Sequence, residues 1–453
     1  MRLIGNSFLS MKESVRSGWG KNLNVKVLYE SLDTDWFLGV PKMSIKSGLA
    51  VGLGRSYGDS SLNGSGVSFT TEKLDTLEIC PNDKTAICGS GVTIGELERA
   101  ASKHGLFPVV VPGTEFVTVG GAIASNIHGK SHHTDGSFGD HILEISLIDY
   151  RGKELILTPD GDSQKAFWAT VGGMGLTGVI SQAKLRLKPI ETTFMSIEEV
   201  KVKNLEEMLG VLNSFDARYS NTAAWIDASG KYEGRGKVAG ANHAKIHELS
   251  RKERKQPLKL KTKRRISLPR DLSFSLINTR SVRLFNTFWY RKPLKRRTTH
   301  FQTFLHPLDS ILNWNSIYGR TGFLQYQFAV PYNREKLLFE FINLMKTYNV
   351  ASFLTVLKKL GGKDSKFISF PIGGWTLAVD FSTKETEFIN ALKQFDQRLI
   401  ESGGRVYLTK DSRLNRTEFE KMYPEYKDWK TVKASMDPET FWKSNQGERL
   451  GLC

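Results

Sequence analysis

Residues 112–130 read PGTEFVTVGGAIASNIHGK, a proline–glycine turn, a helix start rich in small residues, and a polar exit with a histidine and a lysine. Ala122, Ala124 and Ser125 would let a planar or pyrophosphate group come close to backbone; tight helix packing would use the same residues. Upstream, GLGRSYGD (Gly52–Asp59) follows a hydrophobic strand and sets Gly52, Gly54 and Gly58 around Arg55, Ser56 and Tyr57. Such a turn can aim backbone N–H groups at phosphate. It is not the dinucleotide fingerprint, because no βαβ unit with an acidic residue about 20 positions on follows it. Downstream, GGMGLTGVI (172–180) again clears side chains from a turn. Three glycine nests in one domain favour a large phosphorylated cofactor over plain loops.

The chain has 453 residues, enough for two or three domains at roughly 150 residues each. Its balance of 40% hydrophobic and 25% charged residues excludes collagen-like, coiled-coil and wholly disordered chains. Three cysteines, Cys80, Cys88 and Cys453, make neither a disulfide scaffold nor a metal cluster, so free thiols in a reducing compartment are expected. No signal peptide or membrane-spanning stretch of about 18 apolar residues is read, and a cytoplasmic protein is expected. No metal is expected, because the histidines lack metal-binding spacing.

Net charge is +17, and the segment from Lys245 to Arg297 holds 18 Lys and Arg against three acidic residues. Basic runs there flank apolar and aromatic residues: Leu272, Phe274, Leu276, Ile277, Leu284, Phe285, Phe288 and Trp289. This composition suits an anionic membrane surface, or else a solvated mobile loop. Nucleic acid is not expected, since no recognition motif accompanies the charge.

An α+β fold is expected. Residues 1–190 read as short strands broken by glycine turns, with a helix from about Ile94 to His104. Residues 191–404 read as an antiparallel sheet flanked by amphipathic helices. The final stretch, about 405–453, is assigned with the first unit, and a helix is expected from about Arg416.

With these blocks in hand, the sequence resembles the PCMH-type (vanillyl-alcohol oxidase) FAD-binding superfamily over about residues 10–190. More narrowly, GRSYGD, VPGTEFVTVGGAIASNIHGKSHH, GSFGDH, FWATVGGMGLTG, FLHPLD, GFLQYQF and TKDSR resemble the decaprenylphosphoryl-β-D-ribose oxidase family almost end to end. The resemblance implies FAD held non-covalently between two α+β subdomains, and oxidation of a polyprenyl-phosphate ribose to its 2′-keto form. A short-chain dehydrogenase/reductase would complete an epimerisation to arabinose in cell wall biosynthesis, at the inner membrane face. A soluble sugar, alditol or aldonolactone oxidase is the alternative. The family's mycobacterial members carry a cysteine where this sequence has Ala378.

By the same resemblance, Gly52, Gly54, Arg55, Ser56, Tyr57, Gly58, Pro112, Gly113, Thr114, Gly120, Gly121, Ser125, His128, Ser137, Gly139, Gly173, Gly175, Gly178, Ile180 and Tyr407 would bind the cofactor. Lys410, in YLTKDSR, would touch flavin and substrate; His128 and Lys130 would sit beside the sugar and assist deprotonation. Gln325 and Gln327 alternate with aromatics in GFLQYQF, so both amides share one strand face and can orient sugar hydroxyls. Tyr57 would add a hydroxyl contact. His132 and His133 would act as orienting groups, and FLHPLD as a turn near the site.

Overall fold

Glycine-punctuated runs of Val, Ile and Leu pair into two sheets before residue 190. In the computed structural model, which describes residues 11–32, 45–228, 232, 234–260, 265–270, 272–294, 297–362 and 366–453, the first sheet is mixed. Its order is Lys12–Arg16, Val25–Ser31, Val67–Thr70, Gly48–Val51. The second is antiparallel, in the order Leu77–Cys80, Thr85–Gly89, Val179–Pro189, Ile142–Ile148, Glu154–Leu157, with Leu106–Pro108 on the far end of Val179–Pro189.

Local chemistry sets the helices between them. The expected helix runs from Ile94 to Ser102: the Thr93 hydroxyl accepts the Glu96 N–H at 3.2 Å, and the Glu96 carboxylate accepts the Thr93 N–H at 2.8 Å. This reciprocal cap is worth about 1 kcal/mol. Ile94, Leu97 and Ala101 then recur on one face and are fully buried. A second short helix, Val119–Ala124, starts at Thr118, whose hydroxyl accepts the Gly121 N–H.

From Phe194 the chain builds one eight-stranded antiparallel sheet. Its order is Arg297–His300, Phe194–Val202, Gly236–His243, Asn221–Ile226, Thr355–Leu360, Gly374–Ser382, Phe323–Pro331, Arg405–Val406. Helices Leu205–Asp216, Lys336–Thr347 and Thr386–Glu401 pack on one face, where Tyr326, Phe328, Leu377, Val379 and Phe381 meet Phe341, Phe388 and Phe395. Arg405–Val406 remains the edge strand of this sheet, so the chain leaves it only after residue 406.

The helices Arg416–Met422, Tyr426–Met436 and Asn445–Leu450 return to the first sheet, where Trp442 bridges Gly48. The basic segment contains one long helix, Thr279–Arg291. Lys261, Lys263, Arg264, Asp271, Lys295 and Arg296 lie outside the described residues.

Candidate active site

Strand alternation turns polar residues to the other face of the large sheet, and there they form one wall of a cavity of about 1300 Å³. Gln325 lies opposite Asp380, Gln327 opposite Ala378, and Thr376 opposite Lys358. Residues directly across an antiparallel pair share a face, so these six form one contiguous patch. The facing wall comes from the glycine loops: Gly52, Gly54, Arg55, Ser56, Tyr57, Pro112, Gly113, Thr114, Gly121, Ser125 and Gly175 all line the cavity. His128, Lys130, Tyr407 and Lys410 complete it. The structure thus brings all six expected catalytic residues to one space.

Three lysines meet there, and low dielectric penalises each charge. Burial and Lys358 push Lys130 down to about 7; burial alone brings Lys358 down to about 8. Lys410 is lowered by burial, opposed by the nearby Asp380 carboxylate and reinforced by Lys358. Each of the three keeps part of its surface facing the cavity while lying deep in the protein. The Lys410 ammonium stands 3.6 Å from the centre of the Tyr57 ring, a cation–π contact that fixes its direction. Lys130 donates to the carbonyls of Phe304 (2.8 Å) and Leu305 (2.9 Å). The Lys358 ammonium makes no hydrogen bond or ion pair among the described residues.

Asp380 is fully buried and accepts the Gln325 amide at 2.5 Å. Burial raises its pKa, while that hydrogen bond and Lys410 pull it back. Gln327 donates to His128 Nε2 at 3.0 Å, placing the ring proton on Nδ1. Burial and the neighbouring Lys358, His132 and Lys410 hold His128 well below its usual range, so the ring is neutral. His128, expected to assist deprotonation, thus has its Nε2 engaged by Gln327, and Lys130 is tied to two carbonyls.

The cavity walls also test the cofactor. A Cβ on Gly54 or Gly113 would meet nothing within 4 Å, so both backbones border open space, and Gly54 needs its positive φ of 59°. Arg55, Ser56, Ser60, Thr114, Thr118 and Ser125 bring a cation and hydroxyl groups to these walls beside the open backbones of Gly54 and Gly113. A cation, hydroxyls and uncovered backbone along one wall complement a large polar, phosphate-bearing ligand. The volume exceeds the roughly 300–1,000 Å³ of common ligand pockets, leaving room for a dinucleotide beside a substrate. FAD fits this donor set, which would hold it along the loops 52–60 and 112–128.

Seven expected cofactor residues do not reach the cavity wall. Gly58 lies against the Asp411 carbonyl, Gly120 against Ser90, Gly139 against Val171, Gly173 against the Ala169 carbonyl, and Gly178 against the Ile148 carbonyl. Ser137 Oγ sits 3.2 Å from His132 Nε2, and Ile180 is core. Their glycines serve close packing of the loops, the alternative that the sequence left open. His132 and His133 also lie off the wall: His132 Nδ1 accepts the Gly361 N–H, and His133 Nε2 sits 2.9 Å from the Tyr219 carbonyl oxygen. FLHPLD is a short helix followed by a 3₁₀ turn, with His306 buried 2.7 Å from Glu98 and Asp309 accepting from Thr114.

One guanidinium closes the arrangement. Arg449 grips both Asp59 oxygens at 2.7 and 2.9 Å and reaches Asp411 at 3.0 Å, tying the first glycine loop to the turn that carries Lys410.

Residues 46–158 match a family described as FAD binding domain. The chain is 36% identical over 448 residues to a decaprenylphosphoryl-β-D-ribose oxidase of Mycolicibacterium smegmatis, covering 96% of this chain and 97% of that protein. The chain belongs to the decaprenylphosphoryl-β-D-ribose oxidase family. It is an FAD-dependent oxidoreductase acting on a CH–OH group, with the α+β architecture of the PCMH-type superfamily. An uncharacterised protein of Streptomyces coelicolor is 29% identical, over 80% of this chain and all of that one. A D-lactate dehydrogenase of Archaeoglobus fulgidus shares 35% identity over only 27% of this chain and 29% of its own.

Within this oxidase-family site, the sequence reading missed Asp380, Lys358 and Thr376. Alternation was the usable signal for Asp380, which follows Ala378 by two in GWTLAVDF. For Lys358, period-two alternation selects one of two adjacent lysines, but which one depends on register.

Proposed function

We propose that this protein oxidises the ribose 2′-hydroxyl of a polyprenyl-phosphate ribose to the 2′-keto sugar, with a short-chain reductase completing epimerisation to the arabinose form in cell wall biosynthesis. The observation that carries the reading is the joining of Lys410, Gln325 and Gln327 at one end of a cavity that also has an apolar wall. That wall includes Leu276, Ile277, Val282, Phe285, Leu308 and Ile317. A polar end suits a sugar and an apolar wall suits a prenyl chain, and near full-length likeness to the mycobacterial oxidase supports the pairing.

FAD, when bound, supplies the two-electron acceptor. Lys410 in its ammonium form stabilises negative charge that develops at the reacting end. Asp380 favours that form, and the Tyr57 ring holds it in place. Lys358, a share of which is free amine near neutrality, takes the hydroxyl proton. Gln325 and Gln327, the latter held by His128, orient the sugar. Non-covalent FAD is part of this reading, supported by the lack of a cavity-lining cysteine among the described residues and of a histidine in the loop 52–59.

Anaerobic mixing of the holoprotein with polyprenyl-phosphoryl ribose, free ribose, an alditol and an aldonolactone tests the reading. Bleaching of the flavin absorption by the lipid-linked sugar alone is expected. Bleaching by the soluble compounds and not by the lipid-linked sugar would replace it with a soluble sugar oxidase.

A further inference from the structure

The helix Thr279–Arg291 presents apolar side chains to solvent that nothing among the described residues covers. Leu284 is 75% exposed and Phe288 67%, while Phe274, just upstream, is 61% exposed. These are not frayed residues. Asn278 caps the helix by accepting the Arg280 and Ser281 N–H groups. Asn286, fully buried, donates to Asp227 (2.9 Å) and to the Ser352 carbonyl (3.1 Å), pinning the helix to the large-sheet domain. Val282 is buried beside it.

At about 100° per residue, Leu284 and Phe288 project opposite to Val282 and Asn286. Arg280 and Arg291 fall beside that outward stripe and are exposed, as is Lys292 at the helix end. No acidic residue occurs from Thr279 to Leu294. An outward stripe of large apolar groups rimmed by cations, with no carboxylate, complements an anionic interface that also offers hydrocarbon. A nucleic acid offers the anions but gives Leu284 and Phe288 nothing to enter.

The same helix borders the cavity: Ser281, Val282, Phe285 and Trp289 line it from one side, with Leu276 and Ile277 leading in and Arg270 nearby. We infer that this helix docks the protein onto an anionic bilayer surface, with Leu284 and Phe288 inserted and the cavity mouth held against the membrane. The docking stands on the surface features alone. Its use, admitting a lipid-anchored sugar without releasing its tail into water, rests on the function proposed above.

The test is co-sedimentation of the holoprotein with vesicles of phosphatidylglycerol and phosphatidylcholine, compared with phosphatidylcholine alone. Sedimentation is expected only with the anionic vesicles and should weaken with salt. Replacing Arg280→Gln and Arg291→Gln should lower partitioning about five-fold per charge removed. The pair Leu284→Ser and Phe288→Ser should abolish binding, with flavin content unchanged as the check on folding.

A parent protein that stays in the supernatant with anionic vesicles would overturn the inference, as would both double variants sedimenting like the parent. Retention on duplex DNA but not on vesicles would also overturn it. Oxidation of a water-soluble short-chain prenyl-phosphoryl ribose, measured on the same variants, separates the two readings. Intact oxidation with no vesicle binding removes the docking alone, while vesicle binding without any oxidation leaves docking standing and removes the substrate assignment.

Discussion

Replacing Lys410 by methionine keeps most of the side chain's volume and deletes its charge. The two lysines nearest to it are placed by other elements: Lys130 is held by two carbonyls, and Lys358 sits on the strand Thr355–Leu360, whereas Lys410 ends the 3₁₀ turn Leu408–Lys410. A unit charge about 4 Å from a developing anion, at an effective dielectric near 20, is worth about 4 kcal/mol. Loss of one fixed charge-stabilising group ordinarily slows catalysis about 10²–10³-fold, the same scale.

Lys410→Met should therefore retain FAD and slow substrate-driven flavin bleaching, followed anaerobically by stopped flow, about 10²–10³-fold. pH supplies a second readout. Because burial lowers the Lys410 pKa, the ammonium is lost as pH rises through that depressed value, and the bleaching rate should fall on the alkaline side earlier than for an ordinary lysine. Lys410→Arg, always charged, should keep measurable activity and lack that alkaline fall. Bleaching by Lys410→Met within about three-fold of the parent, or an unchanged alkaline limb in Lys410→Arg, refutes the assignment.

Three other outcomes follow from the same geometry. Lys358→Met should slow bleaching about 10²–10⁴-fold and flatten the acid limb, which in the parent rises with pH as the amine, held at about 8, loses its proton; a preserved acid limb moves the base elsewhere. Gly113→Leu, placed where a Cβ borders open space on the cavity wall, should purify folded but depleted of flavin, as read by absorbance against circular dichroism. His306→Ala strands the buried Glu98 carboxylate and should cost about 3–5 kcal/mol in denaturant unfolding, against little change if the pair were dispensable.

Local pattern carried much of this fold. Thr93 followed by Glu96 announces a helix start, and GFLQYQF announces a strand with its amides on one side, because both signals depend only on neighbours in sequence. The cavity membership of the glycines was less legible. Gly54 and Gly58 belong to one motif, yet one faces open space and the other lies against the Asp411 carbonyl, and that difference is made by a turn more than 350 positions away. Lys358 and Asp380 stayed hidden for a related reason: each becomes chemical only when strand register sets it beside Gln325 and Lys410. The proton position on His128 was equally out of reach, since it depends on an amide donated from another strand.

The Arg449 clamp has a consequence for how the molecule is made. Asp59 emerges from the ribosome early and waits for a partner 390 residues later. Until that arginine has been synthesised, the first glycine loop and the Lys410 turn lack their ionic clamp and keep neutral or weaker contacts such as the Tyr57 N–H to Thr409 carbonyl bond (3.0 Å), so mature flavin affinity should arise only after translation has passed it. A chain stalled short of Arg449 would leave a half-built nucleotide pocket, so a late arginine governs when the early glycine loop becomes a flavin site.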